Sequence, residues 1–351
     1  MKDLALTPNA LDDLESGGST FDVVRFSTSH RRQWEGLVRQ STNGTLFHTR
    51  SFLEYHPAER FQDHSLVFSK GSNFVAVLPA TITQSEPGPV LCSHPGSSFG
   101  GLALSPSISM NETDGIISSL VRYCREQGLV AVEMTLAPPI YSSPPNQELE
   151  FLLYRHGFQY VSRGLAQIVS LRSHPARKPS AQSPPVRQAS AEFKRKVRRA
   201  EGMGVEVVGS DDLPSFYKIL EQNLAQRHGA KPTHSLTELS DLERRLPNRL
   251  RLYVAFLGDE MIAGLLAFVC NARVALAFYI CFLEEYQSYR AINLLCEKTM
   301  FWFREEGLEY FDFGTSTIAM QPNWGLIQFR EGAGACGFMR SRMRLELNGN
   351  G

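Results

Sequence analysis

The chain has 351 residues, 42% of them hydrophobic, and 36 Lys and Arg stand against 36 Asp and Glu. That length suits two domains of roughly 150 residues each, and the balanced charge excludes a global field drawing the protein to nucleic acid or a membrane, so any polyanion site must be a local patch. Six scattered cysteines (Cys92, Cys124, Cys270, Cys281, Cys296, Cys336) show neither a CxxC nor metal-ligand spacing with histidine, which predicts no metal site and buried free thiols of a reducing, cytoplasmic compartment.

Residues 1–20 read as a flexible lead-in: the start is acidic and has no apolar run, and no later stretch nears the roughly 20 apolar residues of a membrane span. A helix is expected from Arg31 and a short one over 46–53, then strands over 64–69 and 74–83 as a hairpin, with breaks at Pro87-Gly88-Pro89 and Pro95-Gly96. Residues 114–127 carry apolar side chains at helical spacing and stop at Gly128. A strand over 129–136, a helix over 148–156 closed by Gly157, and one or two strands over 158–171 complete a domain of residues 21–172. Residues 173–188, rich in proline and serine without periodicity, read as a linker.

The second domain, 189–351, opens with a basic helix (Lys194, Arg195, Lys196, Arg198, Arg199), followed by amphipathic helices over 213–227 and 235–246. Strands follow over 251–257, 261–270 and 274–281, the first two joined at Gly258-Asp259. An apolar-faced helix over 292–304, a strand over 308–313, another helix and a strand over 337–347 end the chain. That last strand alternates Met339, Ser341, Met343 with Arg340, Arg342, Arg344, a basic stripe that would suit RNA or lie as a solvated face.

Arg125-Glu126-Gln127-Gly128-Leu129 returns as Arg304-Glu305-Glu306-Gly307-Leu308, an offset of 179 positions that also places Glu133 on Asp312. Two related α/β domains with mixed sheets are expected, rather than one large sheet. The second copy has Gly314-Thr315-Ser316-Thr317 where the first has Leu136-Ala137-Pro138-Pro139. A polar loop with free backbone N–H groups at the carboxyl end of a strand is where α/β folds gather ligands, so the chemistry is expected in the second copy.

The run Phe311-Asp312-Phe313-Gly314-Thr315-Ser316-Thr317, with Gly325-Leu326-Ile327-Gln328-Phe329-Arg330-Glu331-Gly332, resembles the Gcn5-related N-acyltransferase (GNAT) superfamily, in its Fem-like branch of tandem domains. The resemblance implies two GNAT-like domains side by side and a sheet whose strands 274–281 and 308–313 splay to hold the donor's acyl group. It further implies donor phosphates at the start of the intervening helix, at Tyr289, Arg290 and Asn293, with Ser316. The glycine-bearing loop of coenzyme A binders is missing there, which favours aminoacyl-tRNA over acyl-CoA. Fem-like ligases carry a Phe-Lys pair where this chain has Phe329-Arg330; arginine keeps the charge, adds a planar fork and cannot titrate as acid or base.

Amide formation needs a neutral amine, donors for the oxyanion and a proton for the leaving group. Asp312 either receives the amine proton or caps the Gly314–Thr317 turn. Arg330 either meets the reacting groups or is solvated, and Tyr279 either protonates the leaving group or packs in the core. Arg227, His228 and Thr315 are acceptor candidates or, alternatively, helix-end and turn residues. The expected function is an amide-forming N-acyltransferase acting on a small-molecule or peptide amine, with tRNA as partner and no cofactor besides the donor. The rival is a non-catalytic binding module built on the same domain.

Overall fold

A computed structural model describes residues 21–57, 59–173 and 187–347, with the side chains of Ser173 and His228 left aside. The lead-in of residues 1–20 and nearly all of the proline-rich linker lie outside the described residues. In the N-terminal half the elements are β1 (Asp22–Arg25), α1 (Arg31–Gln40), α2 (Arg50–Leu53), β2 (Gln62–Asp63), β3 (Leu66–Lys70), β4 (Asn73–Leu78), β5 (Thr81–Ser85), β6 (Gly88–Ser93), β7 (Ala103–Leu104), α3 (Met110–Glu126), β8 (Ala131–Thr135), α4 (Glu148–Arg155) and β9 (Gln159–Ser170). The C-terminal half runs through α5 (Ala191–Gly202), β10 (Val205–Ser210), α6 (Leu213–His228), α7 (Leu236–Arg245), β11 (Leu250–Leu257), β12 (Glu260–Val269), β13 (Val274–Phe282), α8 (Ala291–Glu305), β14 (Tyr310–Thr315), β15 (Thr317–Ile318), β16 (Gln321–Pro322), α9 (Trp324–Gly332) and β17 (Cys336–Glu346).

Local chemistry accounts for most boundaries. Helix α3 starts at Met110, four residues ahead of expectation, because Ser109 and Glu112 form a reciprocal capping box; it ends where Gly128 takes φ +68°. Helix α8 ends the same way, with Gly307 at φ +90°. The expected strand over 74–83 is two strands: Pro79 and Ala80 interrupt it, leaving β4 in one sheet and β5 in another. Pro87-Gly88-Pro89, expected as a break, turns the β5–β6 hairpin.

The fold class is the expected mixed α/β with two similar halves, but the sheets are not separate. Eleven strands form one sheet in the order β10-β11-β12-β13-β14-β9-β17-β8-β6-β5-β2, beside a four-stranded sheet β1-β3-β4-β7. The halves exchange edges: β9 of the N-terminal half pairs with β14, and β17 passes back between β9 and β8. On one face of the C-terminal strands α5 and α8 bury Phe193, Leu295, Phe303 and Phe311, each 3% exposed or less; burial of such a side chain contributes about 2 kcal/mol. On the other face α6 and α7 meet Phe47, Phe52 and Phe99 of the N-terminal half. The free thiols of Cys124, Cys270, Cys281 and Cys296 are buried as expected, but Cys92 is half-buried and Cys336 is exposed near the start of β17.

Candidate active site

Strands β13 and β14 are parallel and pair at Val274–Tyr310, Ala275–Phe311 and Leu276–Asp312, and then part. Past Leu276 the edge of β13 facing β14 carries unpaired backbone groups, while β14 leans onto β9. The gap opens into a cavity of about 780 Å³. Its walls come from β13 (Phe278, Tyr279), the start of α8 (Arg290, Asn293), the corner after β14 (Gly314, Thr315) and helices α6 and α9. Among the described residues four arginines line it (Arg227, Arg290, Arg330, Arg340) and no Asp or Glu does. Arg227 is spent on Glu284, with a forked pair of hydrogen bonds at 2.8 and 3.1 Å; the other three make no ion pair with a described residue.

The corner is held from within. Asp312, 2% exposed, accepts the Gly314 N–H at 2.7 Å on one oxygen and the Tyr141 O–H at 2.9 Å on the other. Burial raises its pKa above the ordinary 3.8, against the pull of those hydrogen bonds and of Arg330 and Arg340. It does not line the cavity. Of its two possible roles, the geometry supplies the cap, because both oxygens are occupied and the chain turns at Gly314 with φ +77°. Two of the N–H groups expected to be free in this loop are engaged: Gly314 donates to Asp312, and Ser316 donates to the Leu165 carbonyl at 2.7 Å.

Arg330 reaches the corner from α9. Its Nη1 donates to the carbonyls of Gly314 and Thr315 and to Ser316 Oγ at 2.7 to 2.9 Å. Burial lowers its pKa to about 10, so it is a cation at neutral pH, and its Nε and Nη2 make no hydrogen bond with a described residue. It is far from a solvated surface residue. Tyr279 faces the cavity, and its hydroxyl accepts the His234 N–H at 3.3 Å and meets His234 Nδ1 at 3.0 Å. The other ring nitrogen of His234 meets the Tyr55 hydroxyl at 2.7 Å, and burial holds His234 neutral, with its pKa lowered to about 4. When Nδ1 carries the proton, it donates to Tyr279 and frees the Tyr279 O–H to point into the cavity.

At the start of α8, Arg290 adopts the left-handed conformation, φ +60°, as the helix N-cap. Arg290 and Asn293 line the cavity, but Tyr289 packs into the core beside α8 while Tyr286 takes the cavity wall. Ser316 is 1% exposed and serves Arg330 rather than the cavity. Thr315 and Arg227 line the wall; the side chain of His228 lies outside the described residues. The Arg340, Arg342, Arg344 stripe is not one solvated face: Arg342 and Arg344 pair with Glu133, and Arg344 also with Glu346, while Arg340 turns to the cavity. Sequence reasoning missed Tyr141 and His234, which sit in segments with no motif, and Ser98, which enters from the N-terminal half.

Residues 187–320 match the family model described as acetyltransferase (GNAT) domain. Among solved structures, FemX is similar over 93% of this chain and 98% of its own, with a TM-score of 0.70 at 12% identity. The C-terminal domain of a putative lysylphosphatidylglycerol synthetase from Agrobacterium fabrum reaches 0.57 at 11% identity, covering 92% of each chain. A tandem GNAT protein from the clavulanic acid biosynthesis pathway, solved without AcCoA, reaches 0.53 at 13%, covering 94% of this chain and 100% of that one. No curated protein matches the sequence.

Proposed function

We propose that the chain, which matches an acetyltransferase (GNAT) domain model over residues 187–320 and shares the fold of FemX and of a tandem GNAT protein, is an acyltransferase that forms an amide by moving an acyl or aminoacyl group from an activated donor, aminoacyl-tRNA ahead of acyl-CoA, onto an amine. The observation that carries this is the parting of β13 and β14 over a cavity that, among the described residues, arginines line and no carboxylate does. The donor's carbonyl lies in the gap, against the unpaired edge of β13. Its phosphates meet the N-terminus of α8, where backbone N–H groups and the helix dipole favour anions.

The preference for tRNA rests on Arg290. A left-handed arginine keeps its side chain over the helix start, where the wrapping of a pyrophosphate asks for glycine; it offers a charge in place of a backbone cradle. The exposed basic face of α5, with Lys194, Arg195, Arg198 and Arg199, adds a surface for a nucleic-acid backbone. In the reaction the neutral amine attacks the donor carbonyl carbon, a C–N bond forms, and the bond to the leaving oxygen breaks as the tetrahedral adduct collapses. The Tyr279 hydroxyl, oriented by His234, gives its proton to that leaving oxygen and takes back the proton that the amine nitrogen sheds, which leaves a neutral amide and an unchanged tyrosine, and Arg330 holds the corner in register. No cofactor besides the donor is required.

Melting curves with charged tRNA and, separately, acetyl-CoA test the donor: stabilisation by tRNA is expected, and a rise with the thioester alone reverses the assignment. Tyr279→Phe is expected to lower kcat about tenfold to a hundredfold with KM little changed. A protein that binds a donor yet turns over with none would be a binding module.

A further inference from the structure

Arg340 stands apart from every other arginine of its strand. Its neighbours Arg342 and Arg344 are compensated by Glu133 and Glu346; Arg340 is partly buried, lines the cavity and has no carboxylate at ion-pair distance among the described residues. Two of its five N–H groups are used: Nη1 donates to Thr315 Oγ1 at 3.2 Å and Nη2 donates to the Ser98 carbonyl. Three remain, one on Nε and one on each Nη, in the fork that matches a planar anion. The strand register fixes this posture: Arg340 lies opposite Gly164, and a Cβ there would meet Thr315 Cγ2 at 3.0 Å. The missing side chain lets Thr315 come close enough to hold the guanidinium.

A cation withdrawn from water without a counter-ion is costly, and such groups persist where a partner arrives from outside. Around Thr315 two guanidiniums, Arg330 and Arg340, face one carboxyl, Asp312, which sits behind the wall with both oxygens engaged. One positive charge is left over, which suits a monoanion. Ser98 comes from the N-terminal half, so the position is the seam between the halves, away from the α8 N-terminus assigned to donor phosphate.

We propose that Arg340, with Thr315 and the Ser98 carbonyl beside it, is an acceptor carboxylate site: the amine that is acylated carries a carboxylate, bound by the guanidinium donors the protein leaves unused. This rests on the acyltransferase function above and narrows its acceptor to amino acids and related amino-carboxylates, setting aside neutral amines and amino sugars.

The test uses the full chain at low ionic strength and three probes in melting and titration experiments: a pool of free α-amino acids, the pool of their decarboxylated amines, and O-phosphoethanolamine. The amino-acid pool raises Tm and the amine pool does not; single members of the active pool are then titrated. Arg340→Gln weakens that binding about tenfold to a hundredfold, Arg340→Lys by less, and Thr315→Val several-fold. No shift with the amino-acid pool, an equal shift with the decarboxylated pool, a response to O-phosphoethanolamine alone, or unchanged binding in Arg340→Gln each overturns the assignment. Donor-induced stabilisation of Arg340→Gln shows that this variant is folded; if it does not fold, Thr315→Val carries the test, with unchanged binding as the overturning result. Loss of the donor response in the wild type sinks the donor assignment and leaves the amino-acid titration standing.

Discussion

Strands β6 and β8 of the N-terminal half occupy the places that β13 and β14 hold in the C-terminal half, each pair parallel and bridged by a helix, α3 or α8. In the first pair four rungs run from Val90–Ala131 to Ser93–Met134 and a further bridge, Gly100–Leu136, continues the closure. In the second, three rungs are followed by a gap. The difference lies at the corner after the second strand. Leu136 packs inward and two prolines follow, whereas Gly314 turns on a left-handed φ and Arg330 pins the loop against its own carbonyls. One half thus seals its sheet, while the other keeps a cavity by holding one corner open.

The most severe way to break the comparison is to remove the pin. Arg330→Ala leaves the Gly314 and Thr315 carbonyls and Ser316 Oγ without their donor and is expected to cost about 3 kcal/mol of stability and at least about a hundredfold in kcat/KM, read by denaturant unfolding and steady-state kinetics. Near-normal turnover in a folded variant would show that the corner does not depend on Arg330.

Acid separates the halves by a comparable amount. His48, His56 and His94 lie in the N-terminal half and burial lowers their pKa values from 6.5 to about 4, 4 and 3; the C-terminal half has His234, lowered to about 4. The unfolded chain binds these protons first, so the stability they contribute is complete above pH 6.5 and is lost as pH falls through about 4. For the fully buried His48 alone the loss is about 3 kcal/mol. Hydrogen exchange at pH 4.5 against pH 7 should show α1, α2 and β3 losing protection before α8 and β12; a uniform loss contradicts this.

A smaller effect is expected at Gly314. Alanine there meets no close atom, only Leu276 Cδ1 at 3.9 Å, so the penalty is that of a left-handed backbone, about 1–2 kcal/mol, measurable as a fall in Tm. The smallest effect comes from the repeat partner of Asp312. The Glu133 side chain is 12% exposed and pairs with the more exposed Arg342 and Arg344, so Glu133→Gln is expected to change stability by about 1 kcal/mol and to leave turnover unchanged. Asp312→Asn, by contrast, should keep most turnover if the cap is its whole role, and a loss beyond about a hundredfold would restore it as a base.

Much of this was legible in the chain. Helices ending at Gly128 and Gly307 announced themselves locally, and the Arg-Glu-x-Gly-Leu repeat exposed the duplication. The Phe-Asp-Phe-Gly corner was placed correctly because a short apolar strand before a polar loop has few alternatives. What stayed hidden has a physical reason in each case. The exchange of β9 and β17 depends on pairing across long separations, for which no local pattern exists. The β15–β16 hairpin turns on Ala319 and Met320 at φ +48° and +62°, where glycine or asparagine would have given a signal. Arg340 shares its period with Arg342 and Arg344, and only tertiary packing tells the uncompensated cation from the paired ones. The contact of Tyr141 with Asp312 joins positions 171 apart.

The return of β17 into the N-terminal sheet has a consequence for how the molecule is made. Arg342 meets Glu133 across 209 positions of sequence, so while the ribosome is still producing the second half, the first half presents β8 and β9 with a vacant lane between them. The N-terminal half cannot mature as an independent unit ahead of its neighbour, and a nascent chain released before β17 would carry two raw sheet edges open to other chains.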